Sequence, residues 1–446
     1  MKTGMMSLRA WIAEHVRSEH ALSRVLRNTS WLLAGKGFAA LLSIVYLAAA
    51  ARGLGPARFG QFVLVLGMGQ AISSIVSFQT WRIVVRFSAI HRARGDDQAF
   101  ARVALFCIAL DILSAITGCV IAWVGVGLIG PLLGWTTALA QDALLYAFVV
   151  LLTIRSTAIG LLRVSDRFRD SAAADSVMAI TRLTGALLIL AIGPTPARFL
   201  IAWGASEVTT ALAYWLLVRK HVPIRIDRAV IAGMGAIGEE NPGLWRFAGL
   251  TNLGATMTAA QQQLPLLLVG IAAGPIAAGL FRFAYQLGQA LQRLADMLSR
   301  ALFAELADVH AREGAVAMHT LFLRTNRVTL IGSAAVMAAI VLLGYPALYL
   351  IGGSAYLPAY IPLLLLGGAA ALELAGASFE PALLSAGKAA NVLAIRALVV
   401  LLLCFFLWQL LPLFAEVGAA VAMLLATLFG TLLFRKAAYS LVKMNL

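Results

Sequence analysis

The chain has 446 residues, is 61% hydrophobic and 12% charged, carries a formal net charge of +15, and has a mean hydropathy of +0.89. Those values lie outside the soluble globular range and describe a multi-pass membrane protein. Cys107, Cys119 and Cys404 all sit in apolar stretches and the six histidines lie between or at the ends of such stretches, so no disulfide framework, metal site or buried histidine centre is indicated.

Residues 1–28 hold five basic residues and no apolar core before Trp31, which suits an interfacial helix with Trp11, Ile12 and Val16 on its apolar side rather than a cleaved leader. About twelve segments then follow that are long enough to cross a bilayer, each needing roughly 20 apolar residues. They cover 29–50, 61–81, 102–129, 143–163, 174–193, 197–218, 245–271, 279–301, 320–343, 358–379, 390–411 and 413–434. Lys and Arg divide 28 to 4 between alternate connections, counted from the N-terminus, with Lys36, Arg155 and Arg182 left inside segments. This asymmetry puts both termini in the cytoplasm and the basic charge against the anionic inner leaflet, which removes the need for a nucleic-acid partner. Asp96-Asp97, just before the third segment, reads as a helix N-cap.

One stretch occurs twice. Gly55-Pro56-x-x-x-Gly60-x-Phe62 with Gly69-Gln70 recurs as Gly274-Pro275-x-x-x-Gly279-x-Phe281 with Gly288-Gln289, at one constant shift near half the chain length. The same shift pairs Gly35 with Gly254. Proline ends a helix and glycine permits a sharp reversal, so each copy predicts a turn between two spans. An internal duplication follows, and such membrane proteins are usually transporters with a substrate site between the halves. The expected organisation is an N-terminal segment (1–28), a first lobe (29–218), a basic cytoplasmic linker (219–244), a second lobe (245–434) and a cytoplasmic tail (435–446).

Ionisable residues inside spans are costly and call for a partner or an aqueous cavity. Lys36, Asp111, Arg155 and Arg182 reach one depth in the cytoplasmic half, about 10 Å in at 1.5 Å per residue, and Glu207 lies nearer the middle. Two readings stand side by side. The cations line a cavity for a phosphorylated substrate, or Arg155–Asp111 and Arg182–Glu207 are buried pairs that fix packing while Lys36 snorkels. In the second lobe, Asn252 and the run Gln261-Gln262-Gln263-Leu264-Pro265 suggest a cavity wall or hinge, with a kink at Pro265, or else interhelical amide bonding. Arg282, beside Tyr285 at the outer start of the eighth span, is either a cavity cation or an interfacial anchor. Glu373 and Glu380 share a face of the tenth span, where a titrating group or a coupling cation would sit.

The run from Ser30 to Gly37 (SWLLAGKG), then Ala51 to Gly60 (ARGLGPARFG), and the stretch from Gly274 to Gln289 resemble polysaccharide-biosynthesis transporters. These are the O-antigen and exopolysaccharide flippases (Wzx type) of the multidrug/oligosaccharidyl-lipid/polysaccharide exporter (MOP) superfamily. The resemblance implies an all-α integral membrane protein with twelve helices in two pseudo-symmetric six-helix lobes forming a V. It also implies alternating access and a cationic cavity moving undecaprenyl-pyrophosphate-linked sugar units across the bacterial inner membrane. Lys36 and Arg52 fall in regions where related lipid flippases carry cavity cations. Implied partners are the polyprenyl-linked glycan, membrane lipids, a polysaccharide polymerase and a chain-length regulator. No cofactor is expected, and the coupling ion, H+ or Na+, is open. A cation-coupled drug exporter of the same fold would want acidic, aromatic-lined sites. A lipid II flippase would want fourteen spans rather than twelve. A glycan polymerase or ligase would need a sizeable external segment, and the longest here is roughly Gly344–Leu357, without histidine or acid.

Overall fold

The computed structural model describes residues 42–385 and 388–444, without the side chains of 290–325, 328, 385, 389 and 441–444. The expected interfacial helix over 1–28 lies outside the described residues. All regular structure among the described residues is helical. By length and apolarity, nine helical stretches among these residues could cross a membrane. Three of the nine, 42–94, 244–289 and 390–440, each turn at a residue of positive φ at or near the junction of two expected spans, at Gly55 (φ 70°), Gly274 (φ 80°) and Ala415 (φ 48°). Divided at these three turns, the nine stretches correspond to the twelve expected segments among the described residues.

The helices before and after Gly55 within 42–76 are α1 and α2. After a gap at 77–79 come α3 (80–94, with a π-helical turn at Val84–Ser88), α4 (Asp97–Leu132), α5 (Thr137–Leu152), α6 (Ser156–Val164), α7 (Phe168–Ile192) and α8 (Pro196–His221). In the second half the run Leu244–Gly352 is α9 before Gly274 and α10 after it. Then come α11 (Tyr360–Ala375), α12 (Phe379–Ser385) and the run Ala389–Met444, whose parts before and after Ala415 are α13 and α14. Asp96 caps α4 by accepting the Ala99 N–H at 2.9 Å, as its position before an apolar run predicts.

The duplicated stretch explains how the halves meet. A Cβ on Gly60 would collide with the Pro275 carbonyl, and one on Gly279 would come within 2.5 Å of the Pro56 carbonyl. Each copy therefore supplies both the proline and the glycine of a reciprocal contact, a close backbone approach that small residues permit. From there α2 and α9 run antiparallel as one seam. Leu64 fills the space beside Gly270, Leu266 that beside Gly67, and the Gln263 amide donates to Gln70 Oε1 at 3.1 Å. A single buried cluster holds Phe59, Phe62 and Leu64 together with Leu266, Phe281 and Phe283, so the two lobes share one core. Tyr356 stands against Phe59 and Phe283 (ring centroids 5.9 and 4.6 Å away) and donates its hydroxyl to the Ala51 carbonyl at 3.0 Å.

Three boundaries differ from expectation. Gly344 and Pro346 lie inside a helix that continues to Gly352, which shortens the supposed external loop to Gly353 and a 3₁₀ turn at Ser354–Ala359. The last helix continues past 435 to Met444. The helix also runs on through Pro265, with the change of direction at Gly274, where glycine supplies the positive φ that proline cannot. The linker folds back on the first lobe, where Glu240 takes a bidentate bond from Arg102 (2.9 and 2.6 Å) and Asn241 meets His91 at 2.9 Å.

Candidate functional site

Two spans of the first lobe are interrupted side by side, at 77–79 and at 153–155. Neither gap contains proline or glycine. Both are flanked by hydroxyl side chains, Ser73, Ser77 and Thr80 at one and Thr153, Ser156 and Thr157 at the other, which offer the backbone alternative hydrogen bonds. Gln79 adopts the left-handed conformation (φ 50°) to make the first gap. Freed backbone groups find partners across it, as buried polar groups must. The Trp81 N–H donates to Ser156 Oγ at 3.2 Å, and the Trp215 indole donates to the Ile154 carbonyl at 2.7 Å.

Asp111 of α4 binds the two new helix starts together. Its Oδ1 accepts the Thr80 hydroxyl at 2.8 Å, and its Oδ2 accepts both the Thr157 N–H at 3.1 Å and the Thr157 hydroxyl at 2.7 Å. A carboxylate at a helix N-terminus also meets the positive end of the helix dipole. The expected Arg155–Asp111 pair does not form. The gap at 153–155 turns Arg155 instead toward Glu207 of α8, which it contacts directly. Arg182 of α7 reaches the other oxygen of Glu207 at 2.8 Å, donates to Ser206 Oγ at 3.0 Å, and lies over the rings of Trp203 and Tyr46 at 5.5 and 6.0 Å. The Arg182–Glu207 pair is thus present, as one arm of a triad with two guanidinium groups on one carboxylate. That triad keeps one formal positive charge.

Arg282 is buried and lies 5.8 Å from the Tyr285 ring, not at a lipid interface. Between the two gaps lies a cavity of about 320 Å³ whose walls include Gln79, Trp81, Asp111, Ser114, Arg155 and Glu207.

The other sequence candidates separate. Lys36 lies outside the described residues. Arg52 is not in this cavity. Its guanidinium caps the end of the helix at Gly352, donating to the carbonyls of Ile351 (3.2 Å), Tyr349 (3.4 Å) and Leu350 (2.7 Å). Asn252 lies on the α2–α9 seam and donates to the carbonyls of Ser77 (2.8 Å) and Ile75 (3.2 Å), satisfying the gap from the opposite lobe. Gln263 belongs to the same seam. Gln261, Gln262 and Glu373 line a second cavity of about 570 Å³ within the second lobe, where Glu380 is bound by Arg396 at 2.7 Å. Sequence reasoning missed Thr80, Ser156 and Thr157; the hydroxyl clusters inside apolar spans were the signal.

The fold is shared with solved transporters. It aligns with a multidrug resistance MATE family transporter of the MOP superfamily in an inward-facing conformation, at a TM-score of 0.66 and 16% identity over 92% of this chain and 96% of that one. It also aligns with the lipid II flippase MurJ in an inward closed conformation, at a TM-score of 0.70 and 11% identity over 92% of this chain and 87% of that one. The outward-facing MATE family transporter aligns at a TM-score of 0.58, with 17% identity over 94% of this chain and 96% of that one. In sequence, the chain is 29% identical to the inner membrane protein YghQ of Escherichia coli (strain K12) over 354 residues, 78% of this chain and 98% of that protein. Residues 25–304 match the polysaccharide biosynthesis protein family. The chain belongs to that family.

Proposed function

We propose that the chain flips lipid-linked oligosaccharide units, carried on polyprenyl pyrophosphate, from the cytoplasmic to the periplasmic leaflet of the bacterial inner membrane. The observation that carries the reading is the Arg155–Glu207–Arg182 triad at the junction of two interrupted spans, in a chain of the polysaccharide biosynthesis family. Interrupted membrane helices are tolerated where they line a cavity, and they mark transport sites. The two guanidinium groups of the triad offer N–H donors and positive charge to a pyrophosphate off water, offset in part by Asp111 on the same cavity wall. The glycan is shielded between the lobes while the polyprenyl tail stays in lipid.

The basic asymmetry of the connections supports cytoplasmic termini, and hence a periplasmic position for Gly55 and Gly274. The reciprocal glycine–proline contact then closes the outer end, in keeping with the better alignment to inward-facing relatives. Alternating access opens that end. An H+ or Na+ gradient, or the membrane potential at about 2.3 kcal/mol per charge per 100 mV, supplies the drive. A polymerase and a chain-length regulator are the partners this reading implies.

The test replaces the chromosomal copy in the source bacterium with a deletion, then restores wild type or Arg182→Gln at matched membrane expression. Surface polysaccharide and lipid-linked intermediates are measured. Expected are loss of surface polysaccharide and build-up of the intermediate on deletion, rescue by wild type, and failure of the variant. Unchanged polysaccharide on deletion, with altered resistance to cationic drugs, would place the chain among exporters of small molecules instead.

A further inference from the structure

The cavity of the second lobe is built differently from that of the first. One wall carries Gln261, Gln262, Gln289 and Tyr285, from α9 and α10, and Glu373 from α11. The part contributed by α13 and α14 is more apolar, with Val399, Leu403, Met423, Ala426 and Phe434 beside Thr427, Thr431 and Arg396. The amides of Gln261 and Gln262 have no side-chain partner among the described residues, although they stand in a span where an unused amide is expensive. The volume, about 570 Å³, falls in the range of small-molecule sites.

The chemistry of these walls discriminates among the parts of a lipid-linked glycan. A pyrophosphate is less favoured here than beside the two guanidinium groups of the triad, because the described charged groups on this wall are two carboxylates, Glu373 and Glu380, and one guanidinium, Arg396, already bound by Glu380. A polyprenyl chain would leave the amides unsatisfied. A pyranose suits both parts, since its C–H face packs on apolar side chains. Its hydroxyls both donate and accept, matching an amide that also does both. We propose that this cavity is the subsite for the sugar residues of the substrate, held apart from the pyrophosphate at the Arg155–Glu207–Arg182 triad. The assignment rests on the lipid-linked glycan reading above. It divides the substrate between the lobes, anion to the first and glycan to the second.

The experiment places a photoreactive residue in each cavity of the full chain in its own bacterium, as Thr427→p-benzoylphenylalanine and, separately, Ser77→p-benzoylphenylalanine. After irradiation the protein is purified and stained for carbohydrate, before and after mild acid, which cuts the bond between sugar and pyrophosphate. The expected result is a carbohydrate adduct at Thr427 that survives acid and falls several-fold when Gln262→Leu is added. An adduct that loses its sugar in acid but keeps a polyprenyl chain overturns the proposal in favour of a tail groove. A surviving carbohydrate adduct at Ser77 and none at Thr427 also overturns it, while leaving the flippase reading intact. If deleting the chain alters neither surface polysaccharide nor lipid-linked intermediates, the proposal falls together with the reading beneath it.

Discussion

Arg155 and Arg182 reach Glu207 from different parts of the first lobe, so removing any one of the three charges has a distinct effect. Glu207→Gln leaves two guanidinium groups facing each other with no carboxylate, and a loss of about 3–5 kcal/mol of stability is expected. Arg155→Gln leaves the Arg182–Glu207 pair intact and should cost far less, yet it cancels the net charge of the triad and should abolish export. Thermal unfolding in detergent, set beside surface polysaccharide at matched expression, separates the two outcomes. Equal destabilisation by both variants would make the triad a packing device only. The Arg182–Glu207 pair was among the readings of the sequence, but the partner of Arg155 was not legible there. Position along a helix fixes height in the membrane, but rotation depends on the gap at 153–155, which turns Arg155 away from Asp111. That gap was hidden because it uses Thr153 and Ser156 in place of the glycine or proline that normally announces a break.

At the scale of elements, the α2–α9 seam and the cap on the helix ending at Gly352 join the two lobes. The family resemblance makes Arg52 a cavity cation, and a lone arginine near a span end shows no acceptor in the sequence until the fold brings one. Its acceptors are three carbonyls from residues nearly 300 positions later. Arg52→Ala should loosen this end without disturbing the seam. The predicted observation is several-fold faster labelling of a cysteine placed at Ala359, now fully buried, by a membrane-impermeant maleimide. A variant lacking Cys107, Cys119 and Cys404 provides the background. Unchanged labelling would mean the cap adds nothing to closure. By contrast, the turns at Gly55 and Gly274 were legible, because a positive φ beside proline admits few residues.

For the whole molecule, the all-helical build of roughly twelve membrane segments was readable because bilayer thickness and backbone geometry constrain residue type directly. The purpose of the second glycine in Gly-Pro-x-x-x-Gly was not, since only the assembled lobes show Gly60 on Pro275 and Gly279 on Pro56. Gly60→Ala and Gly279→Ala should each destabilise by about 1–3 kcal/mol through overpacking. Their combination should cost less than the sum, because the first already parts the lobes that the second would strain. Thermal melts of the four proteins in one detergent measure the cycle, and full additivity would show that the two contacts are independent.

The reciprocity of that contact also bears on ancestry. An interface in which residue i of one copy meets residue j of the other, and j meets i, is the kind formed by two identical subunits about a twofold axis. A single six-helix chain carrying Gly-Pro-x-x-x-Gly would hold both parts of the joint and could dock onto a twin. Fusion of the gene to its duplicate would then preserve an existing dimer rather than create a new surface. It would also release the two halves to diverge, one toward charge and the other toward amides.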